Sequence, residues 1–268
     1  LWWTWYRWVS SKYRAPFTIT FAEIATHNHF VLDRGGKVFN RTAPVIKLPV
    51  GSSEDEHLGL LGLLNSSVAC FWLKQVCHNK GSTVDQHGAR QRTSPFEDFY
   101  ALNSTKVAEF PLCVGRPLDI ATRLDTLVRQ LSALYPAALL AAGPLPTREG
   151  LDAASQHAAA LRRQMIACQE ELDWRCYRLY GLLPAGVGSD EEAFEAPVEV
   201  ALGVRAFEIV LARRVAAGKE QTTWFERHGS TPVTEIPAHW PEAYRRVVAR
   251  RIELIEGDKS IGLIERPE

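Results

Sequence analysis

The spacing of apolar residues changes along this chain, and that change constrains the fold more than any other feature. Phe17–Phe21 alternates apolar and polar residues, which is typical of a strand with one buried face. Between 151 and 179, apolar residues recur at steps of three and four, which predicts one long helix packed along a neighbour and stopped by Gly181. A chain with both periods is expected to be α+β, with its strands in the first 116 residues and helices after them.

The first part predicts a small β-rich domain. His29–Leu32 and Lys37–Asn40 are expected to form a hairpin around Asp33–Gly36, because glycines supply the positive φ angles that such turns need. Ala43–Pro49 is expected to be a strand in which the prolines take an edge or a strand-end position, since they cannot donate to a ladder. Val107–Leu112 is interpreted as a short strand that leaves the domain.

A largely apolar helix is expected between these strands, after Gly51. Ser52 or Ser53 can cap it, and the acidic residues 54–56 suit the positive end of the helix dipole. The polar triplet 65–67 predicts a break into two short helices. The segment 79–95 is polar and basic and contains glycine, which predicts a surface loop.

The second part predicts helices throughout. An amphipathic stripe from Leu118 to Leu134 and the long stripe over 151–179 are separated by a Gly/Pro linker at 142–146, which favours an antiparallel helical hairpin. A loop is expected over 182–193. Further helices are expected over about 198–217 and from Pro241 to about Glu256, because proline suits the first turn of a helix.

Charge is unevenly distributed, although the net charge is zero. Residues 1–47 hold seven Lys or Arg against two acidic residues, and residues 74–92 hold four against one. The chain after 116 is mildly acidic. A basic first part can mark a nucleic-acid face, and an ordinary solvated surface is the alternative.

Several classes of site are excluded by the absence of their motifs. Neither nucleotide-binding glycine pattern, GxGxxG or GxxxxGK[ST], occurs, and no GxSxG elbow occurs. Cys70, Cys77 and His78 lack the spacing of a zinc site, so we expect no metal. Five cysteines without regular spacing favour a reducing cytoplasm, and no apolar run is long enough to span a membrane.

Two short features allow alternative interpretations. His27-Asn28-His29 is either one inward and one outward histidine on a strand, or a cluster in which Asn28 or a histidine reaches a base edge. The aromatic start at 2–13 is either a stacking platform for bases or a seam against a missing upstream domain. Because the chain begins at Leu1 without a methionine, we expect it to be a piece of a longer protein.

Longer stretches resemble the C-terminal part of the Eco57I-like adenine-specific DNA methyltransferases, including the PglX family of BREX phage-defence systems. The resemblance is centred on Ala25–Arg41 within residues 17–48. It extends to further stretches of the first part, Leu60–Ser67, Phe71–Lys74, Phe99–Tyr100 and Lys106–Leu112. It also covers three stretches of the tail, Thr223–Pro232, Ile236–Pro241 and Ile261–Glu265.

The resemblance implies a division of roles. The family's S-adenosylmethionine loop and its Asn-Pro-Pro-Tyr/Phe motif are absent here, so the cofactor is expected in an upstream methyltransferase domain and no catalytic or cofactor-binding residue is assigned. The implied domains are a mixed α/β target recognition domain over 1–116, a helical hairpin or spacer over 117–182 and a helical tail over 183–268. The implied function is DNA sequence recognition within an N6-adenine methyltransferase of phage-defence or restriction–modification type.

Double-stranded DNA is the expected partner, and the basic hairpin and polar loop are the expected contact face. The candidate DNA-binding residues are Arg34, Lys37, Asn40, Arg41, Lys80, Arg90 and Arg92. Most are expected to contact phosphates, while Arg41 with Asn40 is expected to read a base edge. The alternative is a helical interaction scaffold that binds other defence-system subunits and contacts DNA little.

Overall fold

The chain is described as a computed structural model. The described residues are 14–81, 87, 98–143, 145–184 and 199–266. They group into two compact units, one formed by 14–65, 69–81, 87 and 98–112 and the other by 66–68, 113–143, 145–184 and 199–266. Strands lie in the first unit and long helices in the second, so the expected α+β class is confirmed. The functional labels given to the three sequence domains stay a prediction.

The first unit is built on two three-stranded antiparallel sheets. Its elements are β1 (Thr18–Phe21), β2 (Ile24–Ala25), β3 (Phe30–Asp33), β4 (Val45–Ile46), α1 (Glu54–Leu64), α2 (Ser67–Val76, whose first two residues group with the second unit), β5 (His78–Gly81), β6 (Phe99–Ala101) and α3 (Ser104–Ala108). One sheet has the order β3-β1-β4 and the other β2-β6-β5. As expected, the strand containing Val45 lies at a sheet edge.

Side-chain hydrogen bonds fix both ends of α1 within the first unit. The Ser53 hydroxyl accepts from the Glu56 backbone N–H at 3.2 Å and the Glu56 carboxylate accepts from the Ser53 N–H at 2.7 Å, which is the capping box. At the other end the Asn65 side chain bonds both backbone groups of Phe30, at 2.8 and 2.9 Å. The expected cap and the expected break at 65–67 are confirmed.

The predicted hairpin around Asp33–Gly36 is wrong. β3 pairs with β1, with Asp33 opposite Thr18, and β4 pairs with the other side of β1. Both strands run antiparallel to β1, so the chain between them must return along the length of the sheet instead of turning back on β3. Residues 37–40 therefore form no strand.

The predicted exit strand at Val107–Leu112 is also wrong. Val107 and Ala108 belong to α3, which Asn103 caps by accepting from the Lys106 N–H at 2.9 Å. Val107 and Phe110 are both buried, and their spacing of three places them on one side of a helical turn.

The second unit begins with the expected antiparallel helical hairpin. Its elements are α4 (Leu118–Ala133), α5 (Pro136–Ala142), α6 (Arg148–Leu179), α7 (Ala206–Ala216), α8 (Trp224–Arg227), α9 (Glu242–Gly257) and α10 (Lys259–Ile264). Leu127 and Leu131 of α4 pack against Ala158 and Leu161 of α6. The connection differs from the predicted linker, because the apolar segment after Tyr135 forms the extra helix α5.

The second half of α6 belongs to a different core. Trp174 and Tyr177 pack with Ile209 of α7 and with Tyr244 and Ile252 of α9. α7 is shorter than predicted, because Gly203 has a φ of +94° that a helix cannot contain. α9 follows the prediction within one residue, with Pro241 as its N-cap. No described helix has the length and apolar content to cross a membrane.

Candidate nucleic-acid interface

The turn after β3 is set by a buried aspartate. Asp33 is 6% exposed and accepts a hydrogen bond from the Gly35 backbone N–H at 3.1 Å. Gly35 and Gly36 both have positive φ, 89° and 80°, as their place in the predicted turn required. The chain that follows is exposed, so this turn delivers the basic residues of the β3–β4 connection to the surface.

Arg34 is held by an acidic neighbour. Its Nε and Nη2 lie 2.8 and 2.5 Å from Glu54 Oε1, in the first turn of α1. A carboxylate at a helix start is favourable there, and its ion pair neutralises the guanidinium. Of the described sequence candidates, Arg34 therefore offers the least free charge to a phosphate.

Lys37 and Arg41 are much more exposed. The Lys37 side chain is 73% exposed with its Nζ 3.7 Å from Asp33, and the Arg41 side chain is 92% exposed with its Nη2 3.9 Å from Glu23. Both distances are at the outer limit of an ion pair, and the exposed pair of Arg41 with Glu23 is of a kind that contributes little. Arg41 can therefore change partner at small cost, whereas Lys37 faces a buried carboxylate that also accepts from the Gly35 N–H.

Asn40 shapes the chain beside Arg41. Its side-chain oxygen accepts from the Thr42 backbone N–H at 3.1 Å and from the Thr42 hydroxyl at 2.7 Å. This local turn occupies both lone pairs of that oxygen, one of which a bidentate contact with adenine needs. The geometry suits Asn40 to orient the Arg41 segment.

The register separates these residues into two groups. Arg34 and Lys37 follow Asp33, which pairs with the first residue of β1. Arg41 lies beyond the other end of β1, where the Glu23 N–H donates to the Thr42 carbonyl at 3.0 Å. Three residue steps along β1 span about 10 Å, so the candidates occupy opposite ends of the sheet and are not one compact cluster.

Lys80 lies on a bulge in β5. Asn79 pairs with Tyr100 and Gly81 with Phe99, which leaves Lys80 as the extra residue of the strand. Asn79 fixes the bulge, because its oxygen accepts from the Gly81 N–H at 2.6 Å and its amide donates to Asp98 at 2.9 Å. The bulge places an exposed cation on the edge strand of this sheet. Arg90 and Arg92 lie outside the described residues.

The structure differs from the first interpretation of the histidine cluster, in which one histidine of a strand faces inward. His27 and His29 are both exposed and lie outside the strands, whereas one of them was expected to face inward. Asn28 donates from Nδ2 to the Leu64 carbonyl at 2.6 Å, which fixes the end of α1. This side-chain amide therefore stabilises the fold by satisfying a carbonyl at the helix end.

The second unit contains a buried charge network that the sequence analysis missed. Arg251 of α9 is 8% exposed and donates from its two terminal nitrogens to both oxygens of Glu171, at 2.8 and 2.7 Å. Its guanidinium also lies 3.9 Å from Glu170 and 5.2 Å from the centre of the Trp174 ring. Burial works against this charge, but the two carboxylates keep the pKa of Arg251 raised. The contact fastens α9 to α6.

A second buried pair caps α7. Glu208 is fully buried and accepts from the Gly203 N–H at 2.8 Å, from the Arg205 guanidinium at 2.9 and 3.0 Å and from the Trp224 indole at 3.1 Å. Burial alone raises the pKa of a carboxyl group, but the bonds from Arg205 bring the pKa of Glu208 below its usual value. Glu170 adds to this cap by accepting from the Ala206 N–H at 3.0 Å.

Two further acids near this network hold protons more tightly than usual. Burial raises the pKa of Asp173 to about 6, against the bond of 2.7 Å that it accepts from the Ser67 N–H. Burial and the neighbouring Asp173 raise the pKa of Glu265 to about 8, and this carboxyl group lies 2.7 Å from the Tyr177 hydroxyl. Within the described ranges no cluster of three potential ligands that could hold a metal is found.

One sequence signal could have found this network. Glu170 interrupts the side of α6 that carries Ala167, Trp174 and Tyr177, all of which are buried. An acid among core positions needs a cation, and α9 contains several arginines. The partner itself could not be identified, because Arg251 lies 81 residues further along the chain than Glu170.

Comparisons with known proteins found two sequence similarities. A model described as a domain of unknown function, DUF7008, matches residues 165–268. Over its whole length, the chain is 50% identical to the adenine-specific methyltransferase PglX of Streptomyces coelicolor, where it aligns with the C-terminal 22%. The chain therefore spans about a fifth of the length of this curated relative. No solved structure matches.

The start of the DUF7008 match has a structural counterpart. Residue 165 lies inside α6, close to where its contacts change from α4 to α7 and α9. The matched part therefore contains the complete buried charge network. The predicted resemblance to the C-terminal region of PglX-like proteins is confirmed.

Proposed function

We propose, from the match of the whole chain to the C-terminal part of PglX, that this protein is the DNA sequence-recognition part of a larger N6-adenine DNA methyltransferase. Phage defence of BREX type or restriction–modification is the proposed setting. Double-stranded DNA and an upstream methyltransferase domain are the proposed partners. The observation that carries the proposal is the match to an adenine-specific methyltransferase, and the exposed cations of the first unit support it.

Phosphate contact is assigned to Lys37, Arg41 and Lys80. They are exposed, and the two ion pairs that Lys37 and Arg41 form are long. A phosphate oxygen can replace the partly exposed Glu23 carboxylate beside Arg41, and the buried Asp33 keeps its hydrogen bond from the Gly35 N–H when Lys37 binds a phosphate. Arg34 retains Glu54 and contributes less.

On a duplex that contains the recognised sequence, base reading is assigned to Arg41 in place of its phosphate contact. A guanidinium can donate two parallel hydrogen bonds to the O6 and N7 atoms of guanine. Asn40 orients this arginine through its turn with Thr42, and only its amide nitrogen remains for a base contact. This refines the sequence hypothesis, in which Asn40 and Arg41 were equal readers.

Methyl transfer is assigned to the upstream part of the parent protein. The chain lacks the sequence motifs that the family uses for S-adenosylmethionine and for the target adenine. We therefore expect no heat of binding when S-adenosylmethionine is titrated into the 268-residue chain. Micromolar binding of this cofactor would contradict the division of roles.

The DNA contacts are tested with single substitutions in this chain. Arg41→Ala and Lys80→Ala should each reduce the slope of log K against log salt by about 0.9, because each removes one phosphate contact. Fluorescence anisotropy with a labelled duplex gives this slope. Arg246→Ala is the matched control, since Arg246 is 70% exposed but lies on α9 of the second unit. Equal slopes for all three variants and the wild type would reject the assigned face.

A second candidate function is a protein-interaction scaffold. It is favoured by α5, an apolar helix that buries none of its residues. Duplex binding separates the two candidates, because a scaffold predicts weak binding whose salt slope is unaffected by Arg41→Ala or Lys80→Ala.

A further inference from the structure

The connection between β2 and β3 presents two exposed histidines to which the proposed function assigns no role. We name residues 26–29 the histidine loop. His27 and His29 are exposed, whereas Asn28 between them is half-buried and Phe30 after them is buried. This alternation places both imidazoles on the outer side of the loop.

Hydrogen bonds fix the backbone of the histidine loop. Asn28 donates from Nδ2 to the Leu64 carbonyl at 2.6 Å, and the Asn65 side chain bonds both backbone groups of Phe30 at 2.8 and 2.9 Å. At its other end the loop follows Ala25, which is paired with β6. A preorganised loop loses little freedom when it binds, so its two imidazoles are suited to contact a partner.

The register of the first sheet places the histidine loop near Arg41. The residue after His29 pairs with Phe21, at the end of β1. On the other side of the same chain segment, the Glu23 N–H donates to the carbonyl of the residue after Arg41, at 3.0 Å. His29 and Arg41 therefore flank this segment, and two inter-strand spacings amount to about 10 Å.

The second sheet places the histidine loop near Lys80 as well. Ala25 pairs with Tyr100, and Tyr100 pairs in turn with Asn79 of β5. Because β2 and β5 both run antiparallel to β6, Lys80 follows Asn79 in the same direction in which the loop follows Ala25. The separation is again two inter-strand spacings, about 10 Å. The loop therefore lies between Lys80 and Arg41, and all of these residues belong to the first unit.

We propose that the histidine loop contacts duplex DNA between the positions of Arg41 and Lys80, with His27 and His29 donating hydrogen bonds to phosphates. An imidazole has at least one N–H in each of its charge states, and phosphate oxygens accept hydrogen bonds from side chains. A duplex carries a charge about every 1.7 Å along its axis, so one that reaches both cations also presents phosphates to the loop. This inference rests on the proposed DNA-recognition function and adds two contact residues to it.

DNA fits the histidine loop better than a metal ion does. A zinc ion in a protein takes three or four protein ligands. Within the part of the chain that the structure describes, no group of three histidine, cysteine or acidic side chains that could hold a metal is found. A pair of imidazoles is sufficient for hydrogen bonds to phosphates.

The affinity of the 268-residue chain for a labelled duplex, measured by anisotropy at about pH 8 and several salt concentrations, tests the inference. His27→Ala/His29→Ala should weaken binding about tenfold, because two hydrogen bonds are lost. His27→Lys/His29→Lys should steepen the slope of log K against log salt by about 1.8, since two cations are added beside phosphates. Circular dichroism of both variants should match the wild type, because both side chains are exposed.

The matched control is His157→Lys/His239→Lys, which adds the same charge at two exposed histidines of the second unit and should keep the wild-type slope. The inference is overturned if the lysine variant of the loop has the slope of this control, or if the alanine variant has the affinity of the wild type. Arg41→Ala then shows whether the proposed function stands without it, since a reduced slope in that variant supports DNA contact by the first unit. A wild type that binds no duplex at the lowest salt overturns both.

Discussion

The two units use basic residues in opposite ways. In the first unit, Arg41 is 92% exposed and its nearest carboxylate lies 3.9 Å away. In the second, Arg251 is 8% exposed and binds both oxygens of Glu171 within 2.8 Å. The first arrangement leaves charge for a partner outside the chain, and the second satisfies it within the fold. Burial and pairing distance, more than the number of charges, distinguish a binding face from a structural network.

Because buried and exposed arginines are paired so differently, removing them should change the free energy of unfolding by very different amounts. Arg251→Met leaves the buried Glu170 and the largely buried Glu171 without their cation, so we expect a loss of about 3–5 kcal/mol in the free energy of unfolding. Urea denaturation followed by circular dichroism measures it. The control Arg250→Met removes a side chain that is 51% exposed on the same helix, and should cost less than about 1 kcal/mol. Equal losses for the two variants would contradict the contrast.

A second prediction uses the proton on Glu265. The pKa of this group is about 8 in the fold and near 4.5 in the unfolded chain, so the folded state binds the proton more tightly between these values. The free energy of unfolding should therefore fall as the pH rises from about 4.5 to about 8. Glu265→Gln removes this titration, and its stability relative to the wild type should rise over the same interval.

Urea midpoints at about pH 5 and about pH 9 measure the effect. Glu256→Gln, on the exposed side of α9, is the control and should show the same pH dependence as the wild type. The account of Glu265 fails if its variant also follows the wild type at both pH values.

A smaller effect is expected at the start of α1. Ser53→Ala removes the hydroxyl that accepts from the Glu56 N–H, which should cost about 1 kcal/mol in the free energy of unfolding. Ser52→Ala is the neighbouring control, since the helix cap is Ser53. A loss from Ser52→Ala as large as that from Ser53→Ala would place the cap elsewhere.

The parts of the fold that could be predicted from the sequence are those set by interactions between residues close together in the chain. The alternation at Phe17–Phe21, the cap at Ser53 and the stop at Gly181 each act within a few residues, and all three are observed. The hairpin at Asp33–Gly36 failed although its glycines do adopt positive φ. β3 pairs instead with β1, which precedes the turn by more than ten residues, and the local pattern around Asp33–Gly36 does not contain that strand.

The candidate site shows the same limit. Charge counting identified exposed cations such as Arg41 and Lys80, because exposure needs no specific partner. It could not separate them from Arg34, whose partner Glu54 lies 20 residues away. It also could not find Arg251 with Glu171, since a pair 80 residues apart is created only by the packing of α9 on α6. Arg90 and Arg92 stay predictions.

The central claim is that the exposed cations of the first unit bind duplex DNA. The most direct test is the affinity of the 268-residue chain for a duplex, measured by anisotropy from about 50 to 200 mM salt. With Lys37, Arg41 and Lys80 each contacting a phosphate, log K should fall against log salt with a slope of about −2.7 or steeper. A slope near zero, or no binding at the lowest salt, would contradict the account.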